Sequence, residues 1–349
     1  MKKSLLFILA FFWVFFVSQV SLQAQQRNFK VGCVAFYNLE NLFDTINDPE
    51  KNDEEFLPNG ANQWNSKKYL TKLERLAEAI ESIGTDITPD GAAILGVSEI
   101  ENKEVLLDLA AMPKLQKRNY QVIHYHSPDL RGVDVALLYQ PKYFKPTGSK
   151  SYRLTVEGMP NFYTRDQLLV SGLFDGEEMH FIVNHWPSRR GGEKRSLPLR
   201  MAAAKLSRHI ADSLLAINPQ AKIVVMGDLN DNPTNKSLIE GLNAKGTTEN
   251  LQPGQLYNTM FAFYKKGIGS NAWRDTWSLF DQIIVSQGLL GKDFSTYKLF
   301  SARVHNKTEL TQKSGRFKGY PLRTFAGGEY MGGYSDHFPT YIILTKEVH

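Results

Sequence analysis

Short apolar runs, most of them meeting a polar residue at one end, recur along almost the whole of this sequence and restrict what it can fold into more than any other feature. The runs are Val31 to Tyr37, Ala92 to Val97, Val133 to Tyr139, Leu168 to Phe174, Met179 to Val183, Lys222 to Met226, Gln282 to Val285 and Phe338 to Leu344. They are rich in β-branched and aromatic residues and too short for helices, so they read as strands. Two helices are expected between them. One covers Ser66 to Ile83, where Leu70, Leu73, Leu76, Ile80 and Ile83 recur at helical steps behind Ser66 as a cap and before Gly84. The other runs from Ser196 to about Ile217 with Pro198 in its first turn and Leu199, Ala203, Leu206, Ile210 and Leu214 on one face. Asp175-Gly176 between two strand runs predicts a hairpin, so the sheets are at least partly antiparallel.

The first residues stand apart. Lys2 and Lys3 precede an apolar run from Leu5 to about Val20 that closes on Ala24, which reads as a secretory signal peptide over residues 1–24. The expected destination is periplasmic or extracellular, with no membrane span once that segment is removed. No linker-like tract, repeat period or low-complexity stretch divides the rest, so residues 25–349 are expected to form one domain, working as a monomer with no stable protein partner. The formal charge of +5 is too mild for this length to argue for nucleic acid by itself. Cys33 is the only cysteine, which excludes an intramolecular disulfide and a multi-cysteine metal cluster, and its apolar surroundings predict a buried, inert thiol.

The polar residues at the strand ends form a chemically consistent set. Asn38 follows the first run, Glu99 the second, His185 the fifth and Asp228 the sixth, while Asp281 and Asp336-His337 precede the last two. In antiparallel neighbours the start of one strand lies beside the end of the next, so all of these positions can share one rim. Carboxylate and amide oxygens suit Mg²⁺, Mn²⁺ or Ca²⁺, whereas the histidines are too few and too scattered for a dedicated zinc cage. Such an ion with two histidines suits hydrolysis of a phosphoester. Each cluster alone also fits an ordinary turn; their coincidence at strand ends makes the case.

Taken in order, Phe36-Tyr37-Asn38-Leu39-Glu40-Asn41, Val97-Ser98-Glu99, Arg131-Gly132-Val133-Asp134, Val183-Asn184-His185-Trp186-Pro187-Ser188, Met226-Gly227-Asp228-Leu229-Asn230-Asp231, Phe280-Asp281-Gln282-Ile283 and Ser335-Asp336-His337-Phe338-Pro339 resemble the endonuclease/exonuclease/phosphatase superfamily. The resemblance covers nearly the whole chain after the leader. It implies a four-layered α/β sandwich, two packed mixed β-sheets flanked by helices, with the site at one end. It also implies that Glu99 is the principal metal ligand, with Asn38, Glu40 and Asp336 at the metal site. Asp228 would align or deprotonate water, Asn230 would hold the scissile phosphate, His337 would contact it, and Asp281 would fix the His337 ring. His185 falls where some members keep a proton-donating histidine.

Arg131, Arg189 and Arg190 lie beside these motifs and are candidate substrate contacts, because guanidinium groups grip phosphate oxygens. A loose basic stretch, Lys313, Arg316, Lys318 and Arg323, leads into glycines just before Asp336 and would suit a polyanion. The expected activity is hydrolysis of phosphodiester bonds in nucleic acid. The alternatives are a phosphatase, a sphingomyelin or inositol-phosphate phosphodiesterase, and a binding protein that kept the fold. Gly267-Ile268-Gly269-Ser270-Asn271-Ala272 fits a dinucleotide fingerprint on paper, but no buried strand precedes it.

Overall fold

A computed structural model describes residues 28–348, so the expected signal peptide lies outside the described residues. Two mixed sheets carry the fold. In spatial order the first comprises β14 (Lys298–Val304), β17 (Thr340–Val348), β1 (Asn28–Leu42), β2 (Ala92–Ile100), β4 (Asp134–Tyr139) and β3 (Gln121–His124). The second comprises β5 (Phe144–Tyr152), β6 (Gln167–Phe174), β7 (Glu177–His185), β8 (Lys222–Asp228), β13 (Asp281–Val285), β10 (Leu256–Asn258) and β9 (Ala244–Lys245). Two small hairpins, β11 (Asn271–Trp273) with β12 (Thr276–Ser278) and β15 (Phe325–Ala326) with β16 (Glu329–Tyr330), stand outside them. The helices are α1 (Ser66–Glu81), α2 (Lys103–Ala111), α3 (Glu193–Ile217) and the short α4 (Phe261–Lys265).

The period-two alternation of β8 separates the layers. Val224 and Met226 join the large core between the sheets, whereas Ile223 and Val225 turn to the other face and pack with Ala203, Ala204, Ile210 and Ala211 of α3. On the far side, Leu73, Leu76 and Ile80 of α1 and Val105, Leu106 and Leu109 of α2 cover the first sheet. The result is the expected four-layered α/β sandwich. Close approach of the sheets needs a residue without a side chain at Gly96 of β2, where a Cβ would come within 2.9 Å of the Met226 sulfur. The predicted hairpin is present, β6 pairing with β7 across Asp175 and Gly176, both at positive φ.

Three local expectations shift. The cap of α1 is Asn65, whose side chain accepts from the Lys68 amide; Ser66 is the first helical residue, and Leu70 is exposed. Helix α3 begins three residues early, at Glu193, which puts Pro198 beyond the first turn; the Ser196 hydroxyl donates to the Gly192 carbonyl there. The last strand starts at Thr340, because the Phe338 amide is already bonded to the Ser270 carbonyl. Cys33 is buried, and burial pushes its thiol well above its ordinary range. No helix among the described residues is long and apolar enough to cross a membrane.

Candidate active site

Three neighbouring strands of the second sheet deliver one row of functional groups. His185 pairs with Asp228 across the parallel β7–β8 ladder, and Asp228 pairs with Asp281 across the antiparallel β8–β13 ladder. The first sheet meets this row by bulging. Between Asn38 and Leu42 of β1 there are three residues against one in β2, and between Ser98 and Ile100 of β2 one residue, Glu99, has no partner in β4. Glu40 (φ 50°), Asn41 (φ 53°) and Glu99 (φ 59°) adopt left-handed backbone there, which asparagine tolerates but which costs a glutamate roughly 1–2 kcal/mol. Bulges re-aim side chains, and these turn two carboxylates onto the rim.

His337 ties the sheets together. It lies just before β17 of the first sheet, yet its Nδ1 donates to Asp281 Oδ2 of the second at 2.6 Å. Its Nε2 stands 3.9 Å from both Asp228 Oδ2 and Asp336 Oδ1. The Asn38 amide donates to Asp228 Oδ2 at 3.1 Å, a second link between the sheets. His185 Nε2 is 3.7 Å from Asp228 Oδ2 and 3.7 Å from Glu99 Oε1. Asn230, also left-handed, donates its backbone N–H to Asp228 Oδ1 and its side-chain amide to the Trp186 carbonyl. The six strand-end positions named from the sequence therefore gather at one end of the sandwich.

Burial sets their charges. It pushes the Asp228 carboxyl up to about 7; the His337 cation opposes the rise, and Asp281 and Glu99 add to it. Burial and the nearby Arg165 and Arg131 hold His185 well below the ordinary histidine range, so its ring is neutral. Burial acts the same way on His337, but Asp281 and Asp336 outweigh it and hold that ring well above its usual range.

The remaining candidates divide. Arg131 and Arg190 line a cleft of about 730 Å³ with Glu99, His185, Asp228, Asn230 and His337. Arg189 does not line it. Its guanidinium is engaged by the Asn230 carbonyl, Asp231, Asn235 and Glu193, so it braces the loop after β8. Glu40 gives Oε2 to the backbone and hydroxyl of Thr324 and lies 3.6 Å from Lys72 Nζ. Lys72 was not visible as a site residue. It is fully buried on α1, donating to Thr324 Oγ1 and the Tyr334 carbonyl, and its one sequence signal is a cation four residues before Leu76 on the apolar stripe. Arg165 was also missed; it lines the cleft while bonded to Asp129 and the Trp186 carbonyl.

The donor set fits a hard divalent cation. Glu40, Glu99 and Asp336 are carboxylates of the kind such a cation takes; Glu40 lies 3.6 Å from buried Lys72, whose ammonium Asp336 and Glu99 also favour against its burial, and burial and Asp336 push Glu40 up to about 7 despite that lysine. Glu99 has one oxygen fixed by the Asn41 amide and the other facing His185.

Beyond Asp336 the surface changes character. Arg323 lies 3.5 Å from Asp336 and borders a cavity of about 670 Å³ with Trp273, Arg274, Arg316, Phe317 and Tyr320. Trp273 and Phe317 are exposed.

A two-sheet sandwich with carboxylates, amides and a histidine pair at one end defines a hydrolase-type fold of the deoxyribonuclease I kind. The sequence matches the profile of the Endonuclease/Exonuclease/phosphatase family over residues 33–346, and the chain belongs to that family. Among solved structures it resembles truncated Caenorhabditis elegans TDP2 (16% identity, TM-score 0.54, 90% of this chain and 97% of that one). It also resembles D. rerio TDP2 complexed with single-strand DNA product (12%, 0.52, 90% and 98%). A third is a Bacteroides thetaiotaomicron mannosyl-6-phosphatase (18%, 0.53, 90% and 99%). No curated protein matches the sequence.

Proposed function

We propose that the protein is an exported, divalent-metal-dependent phosphodiesterase that cleaves nucleic acid. The observation that carries the reaction type is the convergence of Asp228, His337 and Asn38 from two sheets on one point, with Glu99 and His185 beside it. Glu99, Asp336, Asn38 and the free oxygen of Glu40 would hold Mg²⁺ or Mn²⁺. When bound, that ion neutralises phosphoryl charge and stabilises the leaving oxygen.

The chain's own groups account for the rest. Asp228, held by the Asn38 amide and the Asn230 backbone N–H, is positioned to orient a water and take its proton, which its raised pKa favours. His337, kept cationic and oriented by Asp281, would sit against the phosphate oxygens. Neutral His185 lies across Asp228 from Asp281 and would face the departing group. Arg131 and Arg190 in the cleft would bind phosphates through charge-assisted hydrogen bonds.

Nucleic acid is favoured over a lipid headgroup or a sugar monoester by the surface next to Asp336. Exposed Trp273 and Phe317 offer faces for bases, and Arg274, Arg316 and Arg323 offer phosphate contacts. Stacking on such side chains is worth about 1–3 kcal/mol per base. The test compares a single-stranded oligonucleotide, mannose 6-phosphate and sphingomyelin as substrates in Mg²⁺, with EDTA controls. Faster turnover of either non-nucleic substrate overturns the substrate class, and no turnover of any overturns the reaction.

A further inference from the structure

Away from the carboxylates at the strand ends, a second group of metal-type side chains converges at the edge of the first sheet. His124 ends β3, and two residues on is His126, a spacing that places both rings on one face of an extended chain. The β3–β4 register pairs His124 with Ala136; continued by two residues it sets His126 opposite Asp134, the first residue of β4. The side chains meet accordingly. His124 Nε2 is 2.9 Å and His126 Nδ1 3.3 Å from the same oxygen, Asp134 Oδ2, and the three donor atoms lie within 4.8 Å of one another.

We propose that His124, His126 and Asp134 form a zinc site that fastens the start of the loop 125–133 to β4. Two imidazoles and a carboxylate with one open position are a donor set that Zn²⁺ favours. Arms of about 2.0–2.1 Å in a tetrahedron put neighbouring ligand atoms roughly 3.3 Å apart, close to both separations from Asp134 Oδ2. The outer partners are in place as well. Asp134 Oδ1 is fixed by the Ser127 backbone N–H at 2.9 Å and by the Ser127 hydroxyl, which leaves Oδ2 to the rings. Lys51, a cation that bears on His126, is directed to the Ser127 and Asp129 carbonyls. His124 and Asp134 are nearly inaccessible while the His126 side chain is 68% exposed, so an ion can enter and a water can complete its coordination. The consequence reaches the cleft, because the same loop carries Asp129 and Arg131, both of which line it. Sequence spacing gave no warning of this site, since its carboxylate comes eight residues after the second histidine on another strand.

The inference is independent of the phosphoester reading, and its test keeps the two apart. The full-length chain and a Glu99→Gln variant are stripped with a chelator, then titrated with Zn²⁺ and separately with Co²⁺, following metal content, the visible Co²⁺ spectrum and thermal unfolding. One tightly held Zn²⁺ per chain is expected in both, with a tetrahedral-type Co²⁺ spectrum and a Tm raised by several degrees. His126→Ala removes an exposed ring, so it should fold normally. It should lose the bound Zn²⁺, the Co²⁺ spectrum and the Tm shift; His124→Ala should lose the Zn²⁺ too. Zinc content unchanged by His126→Ala, or no stoichiometric zinc in the parent chain, overturns the proposal.

Discussion

The second sheet brings His185, Asp228 and Asp281 to the rim along ladders that stay in register to their last pair, whereas the first brings Glu40 and Glu99 on bulges with left-handed backbone. The difference has an energetic meaning. A row at the ends of regular strands is held by pairing that the sheet makes anyway, so its side chains cost the fold mainly through burial of charge. A bulged residue also carries backbone strain, tolerated because surrounding contacts over-determine it. The largest effect is expected where the two sheets meet, at Asp228 from the second and His337 from the first. Asp228→Asn and His337→Ala should each lower kcat on an oligonucleotide by about 10³-fold or more, with circular dichroism unchanged. Activity within tenfold of wild type in either variant would break the assignment of the reacting centre to this pair.

Asp281 gives a smaller, sharper effect. It touches the His337 ring at Nδ1, so Asp281→Asn should misorient the imidazole and lower kcat by roughly 10²-fold, with KM moving much less. An equal change in KM would mean that Asp281 serves binding instead.

A third test uses a buried histidine that lacks such a partner. His305 lies beyond β14, bonded to the Ser82 hydroxyl, and burial followed by Lys307 lowers it to about 4. Its folded value is below its unfolded value of about 6.5, so between them the unfolded chain binds more protons. Its contribution is complete above about pH 6.5 and is lost as pH falls towards 4, by an amount on the order of 2–3 kcal/mol. Urea unfolding across that window should show a flatter pH dependence for His305→Gln than for wild type. Parallel curves would mean that the ring is already charged in the fold, as His337 is.

How much of this could be read from the sequence follows the same division. Strand runs and the residues that terminate them are local features, so the strand-end positions of Asp228, His185 and Asp281 were visible once the runs were recognised; the runs gave a mixed α/β chain, and the four-layered sandwich came only from the family resemblance. The bulges were not visible. Nothing marks Glu40 or Glu99 as left-handed, because glutamate rarely adopts that backbone and only tertiary contacts impose it. Lys72 was hidden for a related reason: a lysine on an amphipathic helix normally reaches solvent, and only the Glu40, Thr324 and Tyr334 groups brought by distant segments explain its burial. Arg189 was legible only in part. Its position beside a motif suggested a substrate contact, and nothing in the sequence showed that Asp231 and Asn235, further along the chain, engage its guanidinium.

The smallest effect addresses the bulge directly, because it reverses an ordinary rule. In a regular strand, glycine is less stable than alanine by roughly 0.5–1 kcal/mol through its greater unfolded-state freedom. Asp228 is not among the positive-φ residues and should obey this, with Asp228→Gly less stable than Asp228→Ala. At Glu99, with φ at 59°, alanine keeps the Cβ clash and glycine does not, so Glu99→Gly should be more stable than Glu99→Ala by about 1 kcal/mol. Both Glu99 variants lose the carboxylate that accepts from Asn41, so that contact cancels in the comparison. Urea midpoints for the four variants decide the matter. Opposite signs at the two positions would establish that the first sheet holds its carboxylate against backbone strain, while the same sign at both would mean that the two rims are held alike.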